Sequence, residues 1–350
     1  MTATTEAAVL IELGRPLELM TLELPALKPG QLLVDVAWSG VCFSQLNEAR
    51  GRRGPDRFLP HTLGHEGAGT VVAVGEGVTK VNPGDRVVLT WIKGKGADVP
   101  GCVYGSAIGP VNSGAISTFM RRTVTCENRV VAIPKDVPLR EAALLGCAVP
   151  TGGGIVRNTA KVKAGDSVAV FGVGGIGLSA VMMAALSGAS PVIAVDIVAD
   201  KLEQARRLGA THTINAAETN PLEAIASLTG GAGVTLAIEA AGRPQVMEDA
   251  FKAVSKGGGL CVLAGNVAAG ERIGIDPFDL IVGRRLLGSW GGDTVPDRDI
   301  PDYAAMMTSG RLRAAELITH EYPLSGINAA LDDLEGRRVG RALIDMARAG

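Results

Sequence analysis

The chain has 350 residues, of which 47% are hydrophobic, so it carries enough apolar material for more than one buried core. The 34 basic and 36 acidic residues leave a formal net charge of −2, which excludes the strongly basic surfaces that bind nucleic acid or anionic membranes. The five cysteines are widely spaced, which excludes a disulfide scaffold and favours a reducing compartment, so we expect a cytoplasmic protein.

Residues 1–14 contain no basic segment followed by an apolar stretch, and the chain has no run of about 18 apolar residues. We therefore predict neither a signal peptide nor a membrane span. No nucleic acid and no membrane are expected as partners, which leaves small molecules and other protein chains.

The first third of the chain is rich in short strand-like segments. Residues 31–41 follow a Lys-Pro-Gly turn, residues 67–91 suggest two strands around a Pro-Gly-Asp loop, and residues 123–134 suggest a strand pair. Short strands separated by glycine and proline predict a small antiparallel barrel or sandwich.

From about residue 166, apolar strand segments alternate with helical segments. This alternation is typical of a parallel sheet that is covered by helices on both faces. The predicted strands are 166–173, 191–197, 211–216, 234–242 and 260–265, and the predicted helices are 175–189, 199–210, 221–231 and 243–259. The tail from about residue 290 is mixed, and residues 340–346 are a candidate strand returning to the first domain.

A glycine-rich segment joins the first of these strands to the first helix. Gly172, Gly174 and Gly177 fit the spacing G-x-G-x-x-G, with Gly175 and Ile176 between the last two. In this spacing the first glycine permits a tight turn, the second lets a pyrophosphate approach the backbone, and the third lets the helix pack closely. The N–H groups at the helix N-terminus then face the phosphate charge. The segment predicts a dinucleotide site; glycines that only make a tight turn are the alternative.

Asp196 ends the next predicted strand. A carboxylate there accepts hydrogen bonds from the adenosine ribose hydroxyls and repels a 2′-phosphate, so NAD is favoured over NADP. Lys201 is a candidate for a further ribose contact. A simple strand-end cap is the alternative role for Asp196.

Two cysteines and a histidine form a candidate metal set. Cys42, His65 and Cys147 stand at predicted strand or loop ends. Two thiolates, one imidazole and an open fourth position suit catalytic Zn²⁺ better than Mg²⁺ or Ca²⁺. The three residues are far apart in the sequence, and buried cysteines often have no metal or catalytic role. Residue type alone therefore favours a structural role over metal binding.

The local sequences around these residues resemble the zinc-containing medium-chain alcohol dehydrogenase family. The matching segments cover nearly the whole chain in the family's order. They are GVCFSQ (40–45), GHEGAGTVVAVGEGVTKVNPGDRVV (64–88), LLGCAVPTGGG (144–154), FGVGGIG (171–177), AVDIVADKLEQARRLGA (194–210) and ITHEYPLSGINAALDDL (318–334).

The resemblance implies an α/β fold with two domains. A GroES-like β-rich catalytic domain would span 1–148 and 290–350, and an NAD-binding Rossmann domain with a doubly wound parallel sheet would span 149–289. Members of the family are dimers or tetramers, which implies a homo-oligomer.

The resemblance also assigns roles around the metal. It implies that Cys42, His65 and Cys147 bind the zinc, and that Glu66 lies near the metal and ligates it in some states. Ser44 would hydrogen-bond the substrate oxygen and start the proton relay.

Three further residues take roles from the resemblance alone. Thr151 would lie beside the nicotinamide, Arg341 near the cofactor phosphates, and Trp91 in an aromatic wall of the substrate pocket.

The chain departs from the family where a structural zinc is normally bound. That lobe carries four closely spaced cysteines, whereas residues 91–114 contain Cys102 alone. We therefore expect one catalytic zinc and no structural zinc. In this glycine-rich loop, Cys102 is expected to be exposed.

Departures also occur beside the first metal cysteine. Phe43 stands where many members have histidine or arginine, and Gln45 replaces an aspartate that helps to orient the metal site. Asn47 replaces the distal relay histidine, and an amide does not shuttle protons. His61 is a candidate substitute, although an exposed loop histidine is the simpler interpretation.

These observations predict an oxidoreductase. Zinc would bind the substrate oxygen, Ser44 would take its proton, and the substrate carbon would pass hydride to NAD. A simple alcohol or its carbonyl is the first candidate substrate; a polyol, sugar or amino-sugar alcohol is the alternative, because Phe43, Gln45 and Asn47 depart from the ethanol-type pattern. The metal set and Asp196 disfavour a zinc-free, NADPH-dependent enone or quinone reductase. The metal set and the Ser44 hydroxyl disfavour a non-catalytic scaffold.

Overall fold

A computed structural model of the chain describes residues 3–348. The predicted catalytic domain also includes positions 1, 2, 349 and 350, which lie outside the described residues. Among residues 3–348, no helix combines the length and the apolar character that crossing a membrane requires.

The elements follow one another in the order that the sequence suggested, with additional short strands. The strands are β1 (Thr4–Leu10), β2 (Glu18–Glu23), β3 (Gln31–Val41), β4 (His61–Thr62), β5 (Glu66–Val74), β6 (Arg86–Thr90), β7 (Val103–Tyr104), β8 (Val111–Asn112), β9 (Arg122–Cys126), β10 (Val130–Ala132), β11 (Val168–Phe171), β12 (Val192–Asp196), β13 (His212–Asn215), β14 (Leu236–Glu239), β15 (Leu260–Leu263), β16 (Arg285–Gly288), β17 (His320–Pro323) and β18 (Ala342–Asp345). The helices are α1 (Phe43–Ala49), α2 (Leu139–Ala142), α3 (Ala148–Gly154), α4 (Gly175–Leu186), α5 (Ala199–Arg207), α6 (Pro221–Leu228), α7 (Pro244–Ala253), α8 (Pro277–Ile281), α9 (Pro296–Thr308) and α10 (Ile327–Glu335).

The chain divides into two compact units. Unit 1 contains the chain up to Cys147, the segment Val295–Gly310 and the chain from Ile318, and unit 2 contains Ala148–Thr294 and Arg311–Leu317. Side-chain contacts join Thr294 and the segment Arg311–Leu317 to the rest of unit 2. Thr294 Oγ1 donates to the Pro150 carbonyl at 2.9 Å, and Gln204 Nε2 donates to the Glu316 carbonyl at 2.6 Å. The sequence had placed the boundaries at 148/149 and 289/290.

Unit 1 is built from two sheets. One has the strand order β2-β1-β4-β8-β7, and the other has the order β10-β6-β5-β3-β18-β17 with β9 also paired to β3. β3 is antiparallel to β5, β9 and β18, so the chain end returns to the centre of this unit. Its apolar core includes the fully buried Leu32, Val34 and Leu89. The predicted β-rich organisation and the returning strand are both present.

Unit 2 contains a six-stranded parallel sheet in the order β13-β12-β11-β14-β15-β16. The order reverses between β11 and β14, so the sheet is doubly wound, and ligands of such sheets bind beyond the strand ends at this point. Alternating strands and helices confirm the predicted α/β class. The strand predicted over 234–242 ends at Glu239, because its side chain accepts N–H groups of the turn that follows.

Candidate active site

The candidate metal ligands converge at one end of the β3–β5 pair in unit 1. Cys42 directly follows β3, and His65 directly precedes β5. The pairing of Ser39 with Gly67 brings these two strand ends together. Cys147 follows a 3₁₀ turn, and the pairing of Thr90 with Glu66 lets this turn reach the same place.

Gly146 explains how the turn with Cys147 approaches so closely. A Cβ at this position would lie 2.2 Å from the Leu89 carbonyl oxygen and 2.9 Å from the Glu66 Cα. Thr90 Oγ1 donates to the Gly146 carbonyl at 2.8 Å. A side chain at this position would force the turn or the strands beneath it to shift.

The ligand atoms of Cys42, His65, Glu66 and Cys147 all lie within 4.8 Å of one another. The two cysteines and Glu66 are buried, and His65 is half-buried. His65 Nε2 and Glu66 Oε2 are buried and have no hydrogen-bond partner among the described residues. Buried polar atoms are normally paired, so a donor set with two unpaired atoms fits a cation such as Zn²⁺.

The charges at this cluster also favour metal binding. Hydrogen bonding with Cys147 lowers the pKa of the Cys42 thiol well below its usual value, and the pKa of Cys147 is raised by the same pairing. Burial opposes a charge on His65, but the Cys42 thiolate outweighs it and raises the pKa of the imidazole. A lowered thiol pKa suits a cation site, since the thiolate is the form of cysteine that binds metal.

Glu66 is paired with Arg341, a contact that the sequence did not suggest. Arg341 precedes β18, whose pairing with β3 places it beside Val41, and its NH1 group donates to the Val41 carbonyl at 3.3 Å. Its NH2 group donates to Glu66 Oε1. Burial raises the pKa of the Glu66 carboxyl against the opposing effect of Arg341. Arg341 thus holds one oxygen of Glu66 and leaves the other facing the metal cluster.

Gln45 stabilises the histidine loop through the backbone. Its Oε1 accepts the N–H of Gly64, which precedes His65, and its Nε2 lies 3.4 Å from Glu48 Oε2. The amide of Gln45 thus contacts the peptide that precedes the histidine. Gln45 therefore orients the loop without supplying negative charge.

Ser44 and Trp91 flank the cluster. Cys42 Sγ lies 3.6 Å from the Ser44 hydroxyl, which is half-buried. The ring of Trp91 lies edge-on to His65, with centroids 6.5 Å apart. A substrate oxygen bound to this cluster would therefore have a hydroxyl and an aromatic edge as neighbours.

The candidate relay residues lie in separate contacts. Asn47 Oδ1 accepts from Arg52 NH1 at 3.5 Å. His61 is buried rather than exposed; its Nε2 lies 2.8 Å from Asp56 Oδ2, and its Nδ1 lies 3.1 Å from the Thr62 carbonyl. The simpler interpretation of an exposed loop histidine was wrong, because the Asp56 carboxylate and the β4 backbone enclose the ring.

The loop at 91–114, which lacks the four closely spaced cysteines, is held in place by the Glu127 carboxylate. Glu127 Oε1 accepts the N–H groups of Thr79 and Lys80 at 2.6 and 2.7 Å, and its Oε2 accepts that of Ala97 at 3.0 Å. Burial opposes the charge, but these N–H groups outweigh it and hold the pKa of Glu127 below its usual value. Cys102 is buried with Tyr104 in an apolar cluster, so its expected exposure was wrong.

The glycine segment in unit 2 forms a tight turn between β11 and α4. Gly172 has φ +85°, and a Cβ on Gly177 would lie 2.0 Å from the Gly172 carbonyl oxygen, so both positions require glycine. A Cβ on Gly174 would meet no atom within 4 Å. Helix α4, which begins at Gly175, has no side-chain cap. Open space before an uncapped helix N-terminus fits a pyrophosphate.

Asp196 is held against this turn. Its Oδ2 accepts the N–H of Val173 at 2.9 Å, and its Oδ1 accepts those of Ile197 and Val198 at 2.7 and 3.0 Å. The carboxylate is half-buried at the end of β12, and Lys201 lies in the first turn of α5. The carboxylate that was expected to bind ribose therefore lies beside the turn that was expected to bind phosphate.

Two further polar residues of unit 2 are buried near these elements. Thr151 in α3 has an Oγ1 atom without a hydrogen-bond partner in residues 3–348. Glu239, which the sequence analysis did not select, ends β14 with no exposed surface, and burial raises its pKa to about 7. Its signal in the sequence was a lone carboxylate at the end of an apolar strand, as with Asp196.

Comparison with known proteins decides the family. Residues 28–135 match the model of the alcohol dehydrogenase GroES-like domain, and residues 175–309 match that of the zinc-binding dehydrogenases. An S-(hydroxymethyl)glutathione dehydrogenase of Synechocystis sp. is 34% identical, across 97% of this chain and 99% of that protein. The chain belongs to the zinc-containing medium-chain alcohol dehydrogenase family. Membership confirms the resemblance and identifies an oxidoreductase that acts on CH–OH groups.

Solved structures give the same result for the whole chain. An alcohol dehydrogenase zinc-binding domain protein from Burkholderia ambifaria has a TM-score of 0.91 and 33% identity over 99% of both chains. Benzyl alcohol dehydrogenase from Acinetobacter calcoaceticus has a TM-score of 0.88 and 30% identity over 98% of this chain and 99% of that chain. A zinc-binding dehydrogenase from Sinorhizobium meliloti 1021, solved with NADP, has a TM-score of 0.82 and 26% identity over 98% and 99%.

Proposed function

We propose that this chain is an NAD-dependent alcohol dehydrogenase with one catalytic zinc ion, bound by Cys42, His65 and Cys147. The main support is that the donor atoms of these residues and Glu66 lie within 4.8 Å of one another, and that His65 Nε2 is buried with no hydrogen-bond partner among the described residues. When bound, zinc would supply Lewis acidity that lowers the pKa of a substrate hydroxyl. A second, structural zinc is not proposed, because Cys102 is the only cysteine of its loop.

We assign roles in proton transfer and metal binding to the neighbouring side chains. We assign Ser44 to accept the proton that the substrate hydroxyl loses, since its own hydroxyl lies beside Cys42. Glu66, held by Arg341, keeps one oxygen available to the metal cluster. Asn47 does not carry the proton further, so release would pass through water and the cofactor's ribose hydroxyls.

The cofactor would lie along the switch point of the sheet in unit 2. The turn Gly172–Gly177, including Gly174, Gly175 and Ile176, would bind the pyrophosphate, and Asp196 with Lys201 would bind the adenosine ribose. The carboxylate of Asp196 would repel a 2′-phosphate, which supports NAD over NADP. Thr151 is assigned to the nicotinamide, and Arg341 to the phosphates.

The names of two relatives support one class of candidate substrates. S-(hydroxymethyl)glutathione and benzyl alcohol both carry a primary hydroxymethyl group, and the two relatives are named for oxidising them. We propose a primary alcohol and its aldehyde as the substrate pair. A polyol or sugar alcohol is the second candidate, since Phe43, Gln45 and Asn47 differ from the family's usual residues.

The test combines metal content with activity. Zinc per chain is measured for the wild type, Cys42→Ser and the control Cys126→Ser, whose thiol contacts Asn128 away from the cluster. NADH formation is followed with benzyl alcohol, S-(hydroxymethyl)glutathione, a polyol and ethanol. We expect one zinc and turnover of primary alcohols for the wild type and the control, and loss of both for Cys42→Ser.

Three outcomes would contradict parts of the proposal. Less than half a zinc per chain with NADPH-dependent enone reduction would favour the zinc-free reductase. Turnover of polyols alone would favour the second substrate class. Activity that survives Cys42→Ser without zinc would remove the metal from the reaction.

We also propose a homo-oligomer formed through the open edge of the unit 2 sheet. β16 is paired on one side by β15, and the nearby Phe278, Ile281 and Trp290 are 61%, 77% and 78% exposed. Apolar side chains beside an unpaired strand edge favour docking of a second copy. Light scattering should report a dimer or larger, and Ile281→Glu should shift it to the monomer.

Unit 1 is assigned as the catalytic domain and unit 2 as the NAD-binding domain. The five cysteines are free thiols, and the proposed metal site needs two of them reduced. We therefore propose the cytoplasm as the compartment. Retention of activity in reducing buffer, and its loss under mild oxidation with recovery by a thiol, would agree with this assignment.

A further inference from the structure

Glu239 ends β14, next to the point where the strand order of the unit 2 sheet reverses. Its side chain has no exposed surface. Oε1 accepts the N–H groups of Ala241 and Gly242 at 2.9 and 2.7 Å. The carboxylate therefore closes the turn that follows its own strand.

This turn packs directly against the proposed pyrophosphate turn. The Ala240 N–H donates to the Phe171 carbonyl at 2.8 Å. A Cβ on Gly172 would lie 2.7 Å from the Ala241 nitrogen. The position of the Ala241 peptide thus limits where the backbone at Gly172 can lie.

The segment after β15 completes the same contact. The N–H groups of Ala264 and Gly265 donate to the backbone carbonyl of Glu239 at 2.9 and 3.1 Å. A Cβ on Gly265 would lie 2.3 Å from the Gly242 nitrogen and 2.6 Å from Glu239 Oε2. The turns that follow β11 and β15 therefore both pack against the turn after β14, and the Glu239 carboxylate lies against the turns after β14 and β15.

A buried carboxylate is a costly way to fill this space. Removing it from water disfavours the charged form, and Oε2 has no hydrogen-bond partner among the described residues. An apolar side chain would fill the same volume without that cost, but it would leave the Ala241 and Gly242 N–H groups unpaired. The arrangement thus serves the geometry of the turn more than the packing of the core.

We propose that Glu239 is a positioning residue for the cofactor: its carboxylate fixes the Ala241–Gly242 turn, which supports the Gly172 turn against the dinucleotide. This inference rests on the proposed NAD site. Glu239 acts through the backbone, and no contact of its own with the cofactor is invoked.

The test compares three variants of the full-length, zinc-loaded enzyme. Glu239→Gln keeps an acceptor oxygen at the same reach, Glu239→Asp keeps the charge but withdraws the oxygens by one methylene, and Glu239→Ala removes both. NADH affinity is measured by fluorescence titration, together with the KM for NAD, the KM for the alcohol, kcat and the zinc content.

We expect Glu239→Ala and Glu239→Asp to weaken NADH binding and raise the KM for NAD about tenfold, because two buried N–H groups lose their acceptor. Glu239→Gln should retain more affinity than either. The zinc content and the KM for the alcohol should stay within about twofold of the wild type, which a general loss of structure would not allow.

Equal NADH affinity in all variants would overturn the inference. So would a charge-dependent order, in which Glu239→Asp binds NADH well and Glu239→Gln poorly. If Glu239→Ala does not fold, the NADH affinities of Glu239→Gln and Glu239→Asp decide: the inference requires tighter binding by Glu239→Gln. A wild-type enzyme that binds neither NAD nor NADP would instead refute the proposed function.

Discussion

Arg341 and Glu66 form a buried ion pair that joins the start of β18 to the start of β5. Arg341 is 5% exposed and Glu66 has no exposed surface. The Glu66 carboxylate raises the pKa of Arg341 further above its usual value, against the opposing effect of burial. The pair lies beside Cys42 and Cys147, so it sets the charge next to the proposed metal.

Replacing Arg341 should therefore destabilise the fold strongly. In Arg341→Leu the Glu66 carboxylate stays buried without its partner, and the free energy of unfolding should fall by about 3–5 kcal/mol. Arg338→Leu is the matched control, because Arg338 is 62% exposed where it pairs with Asp333 and should cost about 0–1 kcal/mol. Denaturant unfolding measures both. Similar losses in the two variants would show that the Arg341 pair contributes no more than a surface pair.

Removing the metal should abolish activity without releasing the loop at 91–114. The loop is held by Glu127 and by Asp297, whose Oδ2 accepts the Lys95 N–H at 2.6 Å. A chelator should stop NADH formation, zinc should restore it, and limited proteolysis should find the loop equally resistant in both states. Cleavage of the loop after chelation would indicate a metal within it.

Glu127→Ala should have the opposite effect on this loop. Three backbone N–H groups lose their acceptor, so the free energy of unfolding should fall by about 1–3 kcal/mol and the loop should become sensitive to protease. Zinc content should not change. Glu76→Ala, at an exposed position of the neighbouring turn, is the control. It should leave the free energy of unfolding and the protease resistance of the loop unaltered.

The coenzyme preference should depend on Asp196. Asp196→Asn keeps an acceptor for the Val173 N–H but removes the charge that, in the proposed site, would repel a 2′-phosphate. The ratio of kcat/KM for NAD to that for NADP should fall about tenfold or more. Asp200→Asn, an exposed change in the first turn of α5, should leave the ratio unaltered. An unchanged ratio in Asp196→Asn would place cofactor selection elsewhere.

Stability should fall as the pH rises past the unfolded pKa of Glu239. Burial raises its pKa from 4.5 to about 7, so the folded state retains a proton that the unfolded state has released. The stabilisation is complete below pH 4.5, is lost between pH 4.5 and about 7, and amounts to about 3 kcal/mol. Unfolding of Glu239→Gln across this range should lack that loss relative to the wild type. Parallel pH profiles would contradict the shift.

Local sequence patterns predicted much of this protein. The glycine turn at 172–177, the βα alternation after it and the returning strand near 340–346 all follow from backbone preferences and apolar periodicity over a few residues. The proposed metal set rests on the resemblance, because Cys42, His65 and Cys147 carry no informative spacing.

The remaining features depended on the tertiary structure. Glu66 and Arg341 are 275 positions apart, and they meet because β3 pairs with both β5 and β18. Glu127 reaches the loop at 91–114 from a position 30 residues away from Ala97. Glu239 holds the turn after β14, which the sheet order packs against the turns after β11 and β15. Propensity and periodicity act between near neighbours in the sequence. The roles of these carboxylates depend on N–H groups and cations from distant parts of the chain, which strand pairing brings close.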